Sequence, residues 1–295
     1  MLFRSERQEA VLELSELIDW RQSFRATGCA ANEKEEEYRQ IVNWLEEKPA
    51  FLSKPFYRYA VNLLPPLMMV CIVLASLGVL SARVPLFFFL LQLILVAFNL
   101  KYVNRKASKA GSLISIFKKY EALLSHIEAL PVKSHYLQKR KTALIDNHSS
   151  PCNALKRVTR ITSSLDARNN VLAAIALDGL LLYDIRFVLL LEQWMSRHKT
   201  QFDVWTDLIA EYEAIASLAN YCYNNPDFCI PEIESDRDFI LEACGVSHPL
   251  IPAGIRVKND FSQYGRSNLV IVTGANMSGK STFLRTSAKD RKSVV

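Results

Sequence analysis

Near the C-terminal end of the chain, Gly274-Ala275-Asn276-Met277-Ser278-Gly279-Lys280-Ser281 follows the pattern G-x-x-x-x-G-K-[ST]. Each residue type in that spacing has a task. The glycines let the backbone curl so that its N–H groups converge on phosphate oxygens. A helix that starts at the lysine adds the positive end of its dipole. Lys280 would reach the β- and γ-phosphates, and the Ser281 hydroxyl would hold Mg²⁺. The flanks suit such a loop. Leu269–Thr273 (Leu-Val-Ile-Val-Thr) reads as a buried strand, and Thr282-Phe283-Leu284-Arg285 reads as the first turns of a helix. The nucleotide-binding set is therefore Gly274, Ala275, Asn276, Met277, Ser278, Gly279, Lys280, Ser281 and Thr282, with a nucleoside triphosphate and its Mg²⁺ as ligands.

Other chemistry is poorly supported. The six cysteines, at 29, 71, 152, 222, 229 and 244, form no C-x-x-C, and the five histidines form no H-E-x-x-H. The pattern suits reduced thiols and offers no basis for a metal other than nucleotide-borne Mg²⁺. A net charge of +6 over 295 residues permits contact with nucleic acid or anionic lipid without demanding either. The short basic run Lys139-Arg140-Lys141 reads as a solvated helix face. His126 reads as a packing or surface residue.

The elements that carry the loop begin with a very apolar region. Leu63–Leu80 and Val84–Leu100 contain no charged residue, and Arg83 alone interrupts Leu63–Leu100. Each run is close to the roughly 20 residues that cross a ~30 Å hydrocarbon core. Pro65 and Pro66 are expected to open the first helix and Pro85 the second, where a missing N–H costs least. Lys48, Lys54 and Arg58 precede the pair, and Lys101, Arg105, Lys106 and Lys109 follow it. The positive-inside rule then puts both chain ends on the cytoplasmic side of a cell (inner) membrane, crossed as a tight helical hairpin. A buried hairpin of a soluble core is the competing reading. A third apolar stretch, Val171–Leu191, carries Asp178, Asp184 and Arg186. Each would cost roughly 3 kcal/mol near a bilayer centre, so this stretch reads as a core helix interrupted at Asp178-Gly179.

Most of the remainder has helical periodicity. Ser5 and Gln8 suggest a capping box ahead of Val11, Leu14 and Ile18. Tyr38, Ile41 and Leu45 mark a helix that stops before Pro49. Leu113, Phe117, Tyr120, Leu124 and Ile127 form a stripe closed by Pro131. His148-Ser149-Ser150-Pro151 reads as a loop. Leu208, Tyr212, Ile215 and Ala219 form another face, ended by Asn224-Asn225-Pro226, with Trp194 and Trp205 packing nearby. Around Pro231 the pattern changes to short strands and turns. The expected organisation is an N-terminal helical segment (1–62), a transmembrane hairpin (63–100), a helical core (101–231) and an incomplete P-loop domain (232–295). The fold class is mainly α, followed by the truncated start of an α/β P-loop ATPase domain.

The segment Val272-Thr273-Gly274-Ala275-Asn276-Met277-Ser278-Gly279-Lys280-Ser281-Thr282-Phe283-Leu284-Arg285 resembles the P-loop of the MutS family of DNA mismatch-repair ATPases. The Asn-Met pair inside the loop is its specific part. His248-Pro249-Leu250 and Asn259-Asp260 look like the lead-in strands of that family's ATPase domain. Trp194, Trp205, Glu213-Ala214, Ser217-Leu218-Ala219, Asn225-Pro226 and Pro231 look like its helical core. The two-helix insertion resembles a membrane-associated MutS-like branch.

The resemblance implies ATP and Mg²⁺ as cofactors, with Asn276 toward the γ-phosphate and residues near Arg256 and Val257 by the adenine. It also implies DNA as a partner, a lipid bilayer for this branch, and a homodimer in a fuller form. Two departures qualify it. After Ser287 the sequence becomes Ala288-Lys289-Asp290-Arg291-Lys292-Ser293-Val294-Val295, without a later strand ending in acidic residues or a signature loop. A truncated, hydrolysis-deficient ATPase is therefore expected, since nothing would position the attacking water. No Phe-x-Glu wedge occurs, so mismatch reading is unsupported. A membrane-tethered NTPase unrelated to DNA, and an inactive helical fragment, remain alternatives.

Overall fold

A computed structural model describes residues 2–29, 35–145, 150–164, 170–232, 240–252, 254–265 and 270–287. The described residues are mainly helical and divide into two units, Leu2–Cys229 and the residues from Ile230 onward.

The first unit holds helices α1 (Leu2–Glu16), α2 (Ile18–Cys29), α3 (Glu35–Leu45), α4 (Pro55–Ser76), α5 (Arg83–Ser112), α6 (Ile114–Ala129), α7 (His135–Ile145), α8 (Pro151–Ser164), α9 (Val171–Leu181) and α10 (Tyr183–Asn224). Helix α10 is its spine, with 42 residues, or about 63 Å at 1.5 Å per residue. One part of α10 buries Leu191, Trp194, Met195, Phe202, Trp205, Leu208, Tyr212, Ile215 and Ala219 in a core shared with α1, α2, α3, α6 and α8. Its beginning buries Leu182, Ile185, Val188 and Leu189 in a second core with Phe51, Ala60, Val61, Val96 and Val103. The same helix thus carries the helical bundle and the base of the apolar hairpin.

Among the described residues, two helices are long and apolar enough to cross a membrane, α4 and α5. Their mean hydropathies over the most apolar stretch are 1.9 and 2.0. Most of each apolar stretch faces outward. Leu63, Val70, Val73, Leu86, Phe87, Ile94 and Phe98 are exposed, Phe98 to 86 %.

Several expectations are corrected. Helix α1 already runs from Leu2, so Ser5 lies within it rather than capping it, and Ile18 belongs to a separate helix. Helix α4 starts at Pro55, which takes the first-turn position suited to proline, and Pro65 and Pro66 lie inside the helix. The amphipathic turns 55–62, with Ala60 and Val61 buried, extend the helix ahead of the uncharged run. The break in the third apolar stretch falls at Leu182, not at Asp178-Gly179. Leu182 adopts φ 48°, a left-handed conformation uncommon for a branched residue. The Asp178 carboxylate accepts the backbone N–H of Asp184 at 2.9 Å, so the end of α9 supplies a cap for the start of α10. Of the loop expected at 148–151, His148 and Ser149 lie outside the described residues, and Pro151 begins α8.

The second unit holds an antiparallel pair, β1 (Ile240–Val246) and β2 (Asn259–Tyr264), and helix α11 (Lys280–Ser287). The pairing is irregular between Ala243 and Val246, where Gly245 takes φ 64° and its N–H is received by Asp260 Oδ1 at 2.7 Å. A positive φ at a bulge favours glycine.

Candidate functional site

The residues expected to form a phosphate loop occupy the connection into α11. Gly279 has φ 82°, which admits glycine with little cost, and Met277 has φ 66°. A Cβ on Gly274 would stand 2.9 Å from Ser278 Oγ, so a side chain there would have to push the Ser278 hydroxyl aside. The turn is closed by Ser278 N–H donating to Ala275 O at 3.3 Å, and Phe283 N–H donating to Gly279 O starts the helical ladder. Lys280 opens α11 and donates its ammonium to Gly274 O and Ala275 O, each at 2.5 Å. The ammonium therefore lies across the loop's own carbonyls. Ser281 is exposed and Thr282 half-buried in the first turn of α11. Phe283 stacks edge-on against Phe261 of β2, with ring centroids 5.7 Å apart, which ties α11 to the strand pair.

The strand expected before the loop is not observed. Val270–Thr273 is irregular and Ile271 is 75 % exposed, while Leu269 lies outside the described residues. A strand needs lateral hydrogen-bond partners. The described sheet has two strands, β1 and β2, which pair with each other, so Val270–Thr273 has no partner strand among the described residues. Among the described residues this region is thus a loop and a helix without the strand expected before them. Of the residues assigned to the adenine, Arg256 is half-buried and Val257 exposed, in the turn before β2.

In the first unit, the basic run on α7 is largely engaged. Arg140 pairs with Glu211 at 2.9 Å, joined there by Arg7 at 3.1 Å and the Tyr136 hydroxyl, and Lys141 donates to Leu130 O at 2.7 Å. Arg7, Arg140 and Glu211 border an open groove of about 660 Å³ between α1, α7 and α10. His126 packs, with Nε2 3.2 Å from Thr27 Oγ1 and its carbonyl accepting from the Trp20 indole at 3.0 Å.

One cluster was not singled out in the sequence. Glu192, 1 % exposed, accepts the backbone N–H groups of Ala50 (3.1 Å), Phe51 (3.0 Å) and Leu52 (2.7 Å) and the Tyr102 hydroxyl (2.5 Å). Nearby, Glu47 accepts from Lys106 at 2.6 Å and from Lys109. Burial pushes the Glu47 carboxyl up, but the hydrogen bonds and charges of the two lysines outweigh it and hold it below the usual carboxylate range. The linker that enters the hairpin is thus gripped by acids against α5 and α10. The available signal was one acid following the apolar run Val188-Leu189-Leu190-Leu191.

Comparison with known proteins gives a local relationship. The DNA mismatch repair protein MutS of Fusobacterium nucleatum is 43 % identical over 81 residues, covering 26 % of this chain and 9 % of that protein. MutS of Dinoroseobacter shibae is 34 % identical over 87 residues, 27 % of this chain and 10 % of the relative. MutS protein homolog 5 of Saccharomyces cerevisiae is 28 % identical over 114 residues, 35 % of this chain and 13 % of the relative. The matched stretch thus spans about a tenth of the length of these curated relatives. No family profile matches the chain, and no solved structure matches it. The chain is related to MutS-type mismatch repair proteins over this stretch.

Proposed function

We propose that the chain is a membrane-anchored, MutS-like protein that binds ATP with Mg²⁺ through Gly274–Thr282 and associates with DNA. The observation that carries this reading is the loop itself. Gly279 takes a positive φ ahead of the helix, and Lys280 and Ser281 open a helix whose N-terminal dipole favours anions, which supports the reading. In this reading the Lys280 ammonium leaves Gly274 O and Ala275 O to meet the β- and γ-phosphates. Ser281 meets Mg²⁺, and Asn276 lies toward the γ-phosphate. These residues supply binding, whereas hydrolysis needs a further group to orient water. The local relationship to MutS proteins supports DNA as the partner and carries no mismatch specificity for this chain. Anchoring is supported by the outward apolar faces of α4 and α5 and by the basic residues that flank them on one side.

The test is Mg²⁺-dependent binding of a fluorescent ATP analogue to the whole chain in detergent. A charge-assisted hydrogen bond is worth about 1.5–3 kcal/mol. Lys280→Ala should therefore weaken binding roughly ten- to hundredfold. Unchanged affinity in Lys280→Ala would remove the phosphate-binding role. Nucleotide binding together with no retention on either duplex or branched DNA would remove DNA from the reading.

A further inference from the structure

The third apolar stretch is a core element from Leu182 onward, but its first part, helix α9, is only partly covered. Helix α9 packs against both α4 and α5, and its Gly179 is so close to the Phe89 ring that a Cβ there would stand 2.2 Å from it. Its other side is uncovered. Val171 is 69 % exposed and Leu172 79 %, with Ile175 also outward. From Val171 to Leu181 the one charged residue is Asp178, which is buried and turned toward the start of α10. The exposed surface of α9 is therefore entirely apolar, on a helix that packs against both helices of the hairpin.

We infer that α9 is a third membrane-embedded element, a half-span helix whose Val171–Leu172–Ile175 face contacts lipid acyl chains beside α4 and α5. This inference rests on the membrane reading of the hairpin. The length agrees: 11 residues rise about 16 Å, roughly half of a ~30 Å hydrocarbon core.

Hydrocarbon also requires that helix ends find partners inside the protein, and several of the polar groups at the two ends of α9 do so. Asn170 Oδ1 receives the N–H groups of Leu172 at 3.1 Å and Ala173 at 3.3 Å. At the other end, Leu182 N–H donates to Asp178 O at 3.1 Å, and Asp184 N–H donates to the Asp178 side chain. Asp178 and Asp184, which argued against membrane residence in the linear sequence, are both withdrawn from the surface. Arg186 is exposed on α10, one turn past the break, on a stem long enough to carry its guanidinium toward a headgroup layer. An aqueous surface offers nothing to this face, whereas acyl chains match it in chemistry and adjoin it in space.

The experiment places a polarity-sensitive fluorescent amino acid by amber suppression at Leu172, Ile175, Phe98 or Leu218 of the whole chain. The variants are reconstituted in phosphatidylcholine–phosphatidylglycerol vesicles. Phe98 reports the hairpin, and Leu218, exposed on the far part of α10, reports water. Quenching by acyl-chain nitroxide lipids is compared with quenching by aqueous iodide. The inference predicts that Leu172 and Ile175 follow Phe98, quenched by the nitroxide lipid and shielded from iodide, with Leu218 reversed. If both α9 positions follow Leu218 while Phe98 is lipid-quenched, the hairpin stands and the inference on α9 falls. If Phe98 also follows Leu218, the membrane reading falls and takes the inference with it. Two α9 positions are used so that a misfolded variant, detected by loss of helical circular dichroism, leaves the other to decide.

Discussion

Replacing Glu192 tests the claim that a buried carboxylate fixes the hairpin to the long helix. Its two oxygens accept three consecutive backbone N–H groups, from Ala50, Phe51 and Leu52, and one phenol, Tyr102. Glu192→Ala removes all four acceptor contacts. Phe51 is buried, so its orphaned N–H bears a full desolvation penalty of about 1–3 kcal/mol. Ala50 N–H also donates to the Tyr102 hydroxyl at 3.3 Å and Leu52 is half-buried, so each loses nearer 1 kcal/mol. The sum is about 3–5 kcal/mol, within the range for breaking a buried charged network. For a unit of this size, a kilocalorie moves the melting temperature by roughly 2–4 °C. Glu192→Ala should therefore melt roughly 6–20 °C below the parent protein. The assay is thermal unfolding in detergent, read by tryptophan fluorescence, since Trp194 and Trp205 are buried on the same helix. Glu192→Gln keeps one carbonyl oxygen and should fall between the two. A Glu192→Ala protein that melts less than about 2 °C below the parent would show that the grip adds nothing.

Other expectations follow from single contacts. Gly179→Ala should destabilise the α5–α9 contact by about 1–3 kcal/mol through overpacking. Phe89→Leu should relieve that effect in the double variant, as measured by a melting-temperature cycle. Because the Glu47 carboxyl is held below its ordinary range, its stabilisation is present above the unfolded-state pKa and is lost as pH falls through the folded value. The melting-temperature gap between the parent and Glu47→Gln should accordingly be largest near neutrality and close in acid. Burial, followed by the charge of Glu128, pushes the Cys152 thiol up to about 12. At pH 8 iodoacetamide should label exposed Cys29, Cys229 and Cys244 and leave Cys152 untouched until the protein unfolds.

The two long apolar helices were legible because composition alone marks them: one arginine in the stretch Leu63–Leu100 leaves little else to form. The stripe Leu113–Ile127 and the face Leu208–Ala219 were legible for a related reason, since helical periodicity is written into the spacing of apolar residues. Where helices stop was harder to read. The α9–α10 break depends on Asp178 capping Asp184, a contact made only after the chain turns, so the glycine next to it misdirected the reading. Gly179 is there for the Phe89 ring, a neighbour about ninety positions away in sequence. The Glu192 grip joins residues more than a hundred positions apart and has no local signature. The segment Val270–Thr273 has strand-forming residues, but β propensity is realised only beside a partner strand. Sequence pattern therefore reported what each segment prefers, while tertiary contacts decided where such a preference ended.

The most direct test of the whole account is photo-crosslinking of an azido-ATP to the chain reconstituted in lipid vesicles, followed by flotation. The account predicts a labelled protein that floats with the vesicles, requires Mg²⁺ for labelling, competes with unlabelled ATP, and loses the label in Lys280→Ala. Equal labelling of Lys280→Ala, or a folded protein that stays in the aqueous fraction, would contradict it.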